Sequence, residues 1–177
     1  IWKEAKELFL QAPKFRGGWL GMLVFLGVFG VYLPLQSGAE WVNSPMNLVM
    51  WGWLPYLLVN SIVADSFAGE RERHTLETLL ASRLSDRAIL IGKTAASLLY
   101  GWGITLAAVL VGLITVNVAH GEGRLLLFPA PLFAGILVIT LLIAALSAGL
   151  GVVVSLRAAT VRQAQQTLSF GFFLFFI

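Results

Sequence analysis

Few side chains of this sequence have the types and the spacing that chemistry requires. Gly92-Lys93-Thr94 matches the end of the phosphate-binding pattern G-x-x-x-x-G-K-[ST], but the first glycine of that pattern would fall at Arg87. The two histidines, His74 and His120, lie 46 positions apart, and the chain contains no cysteine. We therefore expect this chain to bind no metal and no ATP, and to catalyse no reaction itself.

Charged residues are concentrated in one segment. Residues 67–93 contain nine of the 21 formal charges, and this segment lies between two uncharged runs, of 24 residues from Trp41 to Ala64 and of 26 residues from Thr94 to Ala119. A helix needs about 20 apolar residues to cross the hydrocarbon core of a bilayer. The pattern predicts two membrane spans joined by a charged loop that another molecule can bind.

The composition is that of an integral membrane protein. Hydrophobic residues make up 58% of the chain and charged residues 12%, against about 25% charged residues in soluble proteins. We predict an all-α polytopic protein in which residues 1–177 form a single transmembrane domain. Its four full spans are predicted at about 17–36, 45–64, 92–118 and 129–156, with the charged loop at 66–87 and a truncated fifth span at 163–177. The short last run also predicts a fragment that lacks its carboxy-terminal end.

The basic residues predict the orientation in the membrane. Eleven of the twelve lysines and arginines fall on one side of the predicted spans, and Arg124 alone falls on the other. The positive-inside rule therefore places the amino terminus in the cytoplasm and the protein in the inner, cytoplasmic membrane. The same rule, together with anionic lipid, accounts for the net charge of +3, so we expect the lipid bilayer and no nucleic acid among its partners.

Residues 1–16 are predicted to form an interfacial amphipathic helix. Apolar residues recur at helical spacing on one side, at Ile1, Trp2, Ala5, Leu8, Phe9 and Ala12. A signal peptide is the competing interpretation, but the apolar run that follows is too long for one.

The charged loop contains a second amphipathic pattern. Leu76, Leu79, Leu80 and Leu84 follow i, i+3, i+4, i+8 spacing, which predicts a short helix with one apolar edge. Ser85 and Asp86 are then expected to cap the next helix, with the Asp86 carboxylate in its first turn. Lys93 is expected to extend its ammonium back to the membrane interface and to act as an anchor there.

This loop resembles that of the permease subunits of type-2 ABC (ATP-binding cassette) transporters. The family loop is similar to Glu-x-Glu-x-Gly-Thr-x-Glu-x-Leu-Leu, followed by a short Ser/Pro turn and by Gly-Lys at the next span. The matching residues here are Glu70, Glu72, Thr75, Glu77, Leu79, Leu80, Ser85, Gly92 and Lys93. The chain departs from the pattern at His74, where Gly is usual, and at Arg83, where Pro is usual.

The resemblance implies a function for the loop. In that family it is a coupling helix that fits a cleft on a separate ATPase subunit, which binds the ATP and the magnesium. The implied contact residues are Glu70, Arg71, Glu72, Arg73, Thr75, Leu76, Glu77, Leu79 and Leu80. The resemblance further implies an exporter that alternates between inward-open and outward-open states, with a second permease copy completing a homo- or heterodimer.

Two other functions are compatible with the sequence. A non-transporting membrane scaffold would use the charged loop to recruit a cytosolic protein, and a solvated charge run would need no partner at all. An ion-coupled carrier or channel would need ionisable residues within its spans. The four predicted full spans contain Lys93 at the start of the third and no other charged residue.

Overall fold

The computed structural model describes residues 16–72 and 85–176, and every regular element in this part of the chain is helical. The all-α prediction is therefore confirmed. The predicted interfacial helix lies outside the described residues except for Arg16, as does the middle of the charged loop.

The first described helices form one rod followed by a short turn. They are α1 (Arg16–Gly27), a first π-helical segment (Val28–Tyr32), α2 (Leu33–Ser37) and α3 (Glu40–Asn43). The backbone stays helical from α1 through α2, and the rod ends where Gly38 takes φ +56°. Glycine adopts this conformation without the steric penalty that a side chain would bring.

Pro34 leaves one backbone carbonyl in the first π-helical segment without its usual hydrogen-bond donor. Because proline has no N–H, the carbonyl of Gly30, four residues earlier, loses its usual helical donor. The Thr115 hydroxyl supplies a donor instead, with Thr115 Oγ1 at 2.8 Å from Gly30 O. In a bilayer such a replacement matters, since no water is available to satisfy the carbonyl.

The remaining described helices are longer. They are α4 (Met46–Ala64), a second π-helical segment (Asp65–Gly69), α5 (Glu70–Glu72), α6 (Asp86–His120), α7 (Ala130–Arg157) and α8 (Val161–Phe176). Three helices are long and apolar enough to cross a membrane, Met46–Gly69, Arg87–His120 and Ala130–Arg157, and a shorter apolar helix covers Leu23–Ser37.

The chain is thus polytopic, but the predicted count of four full spans and a fifth partial one is not confirmed. Helix boundaries also differ from the uncharged runs on which that count relied. The second span continues through Gly69 and the third helix begins at Asp86. Backbone hydrogen bonding carries a helix beyond the last apolar residue, so charge marks the membrane boundary and not the helix end.

Packing changes in character along the bundle. At one end a cluster rich in aromatic residues surrounds Trp41 and Trp51, whose rings meet edge to face with centroids 5.5 Å apart. At the end next to the charged loop, the buried cluster consists of Ala64, Ala68, Ala158 and Ala164. Small side chains let helix backbones approach closely without a hydrophobic driving force from water.

Gly101 lies at a close approach of α6 to α4. A Cβ atom at this position would lie 2.5 Å from Val59 Cγ2 and 3.2 Å from Val59 N. Both Gly101 and Val59 are buried, and one of the two atoms that would clash belongs to backbone. A side chain at position 101 would therefore have to push the two helices apart.

We predict that Gly101→Ala lowers the thermal stability of the protein in detergent, by on the order of 1–3 kcal/mol, because the added methyl overpacks the interface. Gly103→Ala is the matched control, since a Cβ there meets no atom within 4 Å. The control is expected to match the parent or exceed it slightly, because alanine favours helix more than glycine does. Equal melting temperatures for the two variants would contradict the close approach.

Candidate functional site

The structure describes both ends of the charged loop. On the first side it describes Glu70, Glu72 and the backbone of Arg71; on the second it describes Ser85, the backbone of Asp86, and Lys93. The other predicted contact residues, Arg73, Thr75, Leu76, Glu77, Leu79 and Leu80, lie outside the described residues. Their contact with an ATPase subunit stays a prediction.

The first side of the loop is a continuation of the second span. The helical backbone passes from α4 through the second π-helical segment into α5 without a break, with Asp65 at φ −68° and Glu70 at φ −68°. The Glu70 N–H donates to Phe67 O instead of to Ser66 O, its usual partner four residues earlier. This change of register makes the Ser66 carbonyl available to a side chain.

Lys93 occupies that position. Its Nζ donates to Ser66 O at 2.9 Å, forms an ion pair with the Glu70 carboxylate, and lies 5.5 Å from the centre of the Phe67 ring. The Lys93 side chain is only 2% exposed, whereas that of Glu70 is 25% exposed. The ammonium therefore points into the helix bundle at the base of the loop and not toward solvent, and its predicted role as an interface anchor stays a prediction.

The three partners of Lys93 are chemically complementary to an ammonium. A carboxylate supplies the opposite charge, a carbonyl oxygen accepts a hydrogen bond from one of the three N–H groups, and an aromatic face attracts a cation. A buried charge is costly unless it is paired and hydrogen-bonded. This set of contacts fixes α6 against the second π-helical segment.

Glu72 contacts a different helix. Its Oε2 accepts a hydrogen bond from the N–H of Val161, the first residue of α8, at 3.3 Å. A carboxylate at this position interacts favourably with the positive end of the helix dipole, and it satisfies one of the N–H groups that have no partner inside the helix.

The start of α8 is also capped from within its own sequence. Thr160 Oγ1 accepts from Gln163 N–H at 3.2 Å, and Gln163 Oε1 accepts from Ala159 N–H at 3.0 Å. Thr160 thus caps α8 as the first residue of a capping box does, whereas the Gln163 side chain accepts from the residue before Thr160. Glu72 adds a third, external partner to this helix start.

Small residues bring the two helix ends together. A Cβ at Gly69 would lie 3.3 Å from Val161 Cγ2, and the cluster of Ala64, Ala68, Ala158 and Ala164 packs against Val161 as well. Larger side chains here would hold α8 away from α5. The short distance from Glu72 to Val161 N–H depends on this packing.

The second side of the loop leads directly into α6. Ser85 has extended backbone, at φ −70° and ψ 145°, and its Oγ accepts from Ala88 N–H at 3.3 Å. The helix then continues for 35 residues, to His120. Among the described residues, no three His, Asp or Glu side chains lie together as metal ligands would.

Sequence reasoning did not identify Ser66, Phe67, Thr160, Val161 or Gln163 as parts of this site. The Thr-x-x-Gln spacing of Thr160 and Gln163 is a signal that could have placed the start of α8. A single lysine at the start of an otherwise uncharged span is a signal that it needs a buried partner. Neither signal identifies the partner in the charged loop.

The comparisons with known proteins identify the family of this chain. The family model described as ABC-2 family transporter protein matches residues 57–177. The chain belongs to this family. The match covers the second half of the second span, the charged loop and every described element after it. No curated protein and no solved structure matches the chain significantly.

As a member of the ABC-2 family, the chain is a multi-pass membrane permease of an ABC transporter. It is a transport component, in a family whose permeases typically work with an ATPase subunit. The resemblance stated from the loop pattern is thereby confirmed. The structure adds that the loop begins and ends at residues that are bound to the helix bundle.

We predict that Lys93→Met destabilises the full-length protein by roughly 3 kcal/mol, because it removes the ammonium that forms an ion pair with the Glu70 carboxylate. Adding Glu70→Gln should recover part of that loss, since the double variant removes both charges of the pair. Arg87→Met serves as the control, as Arg87 is an exposed cation on the same helix. Thermal unfolding in detergent measures all three, and a Lys93→Met protein as stable as the control would contradict the pairing.

Proposed function

We propose that this chain is the permease subunit of an ATP-driven exporter. In this proposal, a separate ATPase subunit binds ATP and magnesium, and the permease converts its movements into alternating access of a substrate pathway. The family match to residues 57–177 is the observation that supports this most, because it includes the charged loop together with the second half of the span before it and the whole span after it.

The charged loop is the proposed contact with the ATPase. Its contact residues are those of the coupling helix, Glu70, Arg71, Glu72, Arg73, Thr75, Leu76, Glu77, Leu79 and Leu80. The apolar edge of this helix would enter a cleft on the ATPase. The first end of the loop, α5, is bound to α6 through Glu70 and to α8 through Glu72, so a force applied to the loop would reach these helices.

The proposed topology has four full spans and a fifth apolar helix at 163–177, with an interfacial helix at residues 1–16. The amino terminus and the charged loop would both lie in the cytoplasm, and the protein in the inner membrane. A second permease copy would complete the pathway, as a homo- or heterodimer.

We predict that cysteines introduced at Ser82 and at Leu125 are labelled from opposite sides of the membrane. Leu125 lies between α6 and α7 and is 81% exposed, and the sequence has no cysteine of its own. A membrane-impermeant maleimide applied to sealed cells should label position 125 alone, and position 82 only after lysis. Labelling of both positions before lysis would contradict the topology.

We further predict that Leu79→Asp in the full-length protein abolishes complex formation with the ATPase while membrane insertion is retained. An unpaired carboxylate buried in an apolar contact costs on the order of several kcal/mol, which is enough to dissociate a modest interface. Co-purification with the ATPase, measured at matched membrane levels, tests this.

Thr78→Asp is the matched control for Leu79→Asp. It introduces the same charge on the next residue, but on the side of the predicted helix away from the leucines. Binding should persist in this control. If Leu79→Asp also retains the ATPase, the coupling-helix proposal is wrong, and a membrane scaffold that recruits another cytosolic protein becomes the better explanation of the loop.

A further inference from the structure

The described residues at the base of the charged loop contact two different helices through two different carboxylates. Glu70 pairs with Lys93 of α6, and Glu72 accepts from the N–H of Val161 at the start of α8. Both carboxylates belong to α5, which continues the helical backbone of the second span without a break. A displacement of α5 would therefore act on α6 and α8 through separate contacts.

We propose that Glu72 is a positioning residue that transmits the movement of the charged loop to α8, while Glu70 transmits the same movement to α6 through Lys93. This inference rests on the proposed function, in which an ATPase subunit displaces the loop. It assigns different roles to Glu70 and Glu72, which the loop pattern does not distinguish.

The two contacts differ in the kind of connection that they make. The Lys93 ammonium is buried and has a carbonyl and an aromatic ring as further partners, so the connection to α6 has several parts. Glu72 is exposed and reaches α8 through one hydrogen bond. Removing Glu72 should thus affect α8 alone and leave the α6 connection in place.

The packing of α8 explains why its first turn can follow α5. Near its start the buried residues are Ala158 and Ala164, whose small side chains interlock little with their neighbours. Seven residues after Val161, about 10 Å along the helix, the Tyr56 hydroxyl donates to Leu168 O at 2.7 Å. A pull on Val161 would tilt α8 about this second contact.

A purely structural role for Glu72, as an additional cap of α8, predicts a different outcome. Asp is as good an N-cap residue as Thr, and it would bring a negative charge to the same helix start. Thr160→Asp in a Glu72→Ala background should therefore restore the stability of α8. It cannot restore a connection between α8 and the loop, because position 160 lies outside the loop.

The test uses the full-length protein, without other cysteines, in complex with its ATPase subunit in lipid nanodiscs. Bimane is attached either to Gln166→Cys, on the exposed side of α8, or to Ile91→Cys, which is 65% exposed on α6. The signal is the shift in bimane emission when ATP and vanadate trap the ATPase in its closed state. Thermal stability and ATPase binding are measured on the same samples.

We expect Glu72→Ala to remove most of the emission shift at position 166 and to preserve the shift at position 91. Adding Thr160→Asp should restore thermal stability without restoring the shift at 166. The Glu70→Gln, Lys93→Met double variant should do the converse, losing the shift at 91 and preserving that at 166. If Glu72→Ala folds too poorly to assay, Glu72→Gln, which keeps an acceptor oxygen but no charge, should give a reduced shift at 166.

Three results, in samples that keep the ATPase bound, would overturn the inference: an unchanged shift at 166 in the Glu72 variants, equal losses at both positions, or recovery of the shift at 166 on adding Thr160→Asp. Failure of the proposed function gives a separate result. In that case the parent protein either binds no ATPase or binds it and shows no ATP-dependent shift at either position.

Discussion

Every backbone carbonyl inside a bilayer needs a hydrogen-bond donor from the protein, and this constraint organises the described structure around α6. Each of the two π-helical segments has a carbonyl that accepts from a side chain of α6. Thr115 donates to Gly30 in the first segment, and Lys93 donates to Ser66 in the second. The two donors are 22 residues apart, about 33 Å along a helix, which is close to the thickness of the hydrocarbon core.

The two donors are suited to their surroundings. Thr115 lies in an uncharged part of the bundle, where a hydroxyl satisfies a carbonyl without introducing a charge. Lys93 lies where the chain leaves the apolar run, and its charge has a carboxylate partner in Glu70. The same helix therefore fixes an irregular turn in the first helical rod and connects the charged loop with the bundle. A movement of α6 would therefore displace both the first helical rod and the base of the charged loop.

Much of the fold could be predicted from the sequence because membrane insertion depends on local composition. The uncharged runs indicated an all-α polytopic protein, and the spacing of Glu70, Thr75, Glu77 and Leu80 indicated the family. The count of spans could not be predicted in the same way, because helix ends do not coincide with the ends of apolar runs. Met46–Gly69 includes Asp65, a charge that the composition argument had placed outside the span.

The contacts at the base of the loop could not be predicted in this way. Glu70 and Lys93 are separated by 23 positions, and Glu72 and Val161 by 89. The second π-helical segment sets the rotation of α5, and therefore which acidic residue faces which helix. No residue pattern in Asp65–Gly69 predicts the hydrogen bonding of that segment. The sequence predicts a charged loop, whereas only the packing of the helices shows which of its carboxylates contact other helices of the protein.

Side-chain size decreases along the bundle, and this difference in packing determines how strongly each end resists movement of its helices. Around Trp41 and Trp51 large side chains interlock, and such an interface resists sliding because every shift would open voids or create overlaps. Around Ala64, Ala68, Ala158 and Ala164 the facing surfaces are smooth, so polar contacts carry more of the specificity of alignment. Glu72 and the Lys93 pair lie at this smooth end. Side chains that interlock little therefore surround the contacts of the charged loop, whereas the interlocked cluster lies at the far end of the bundle.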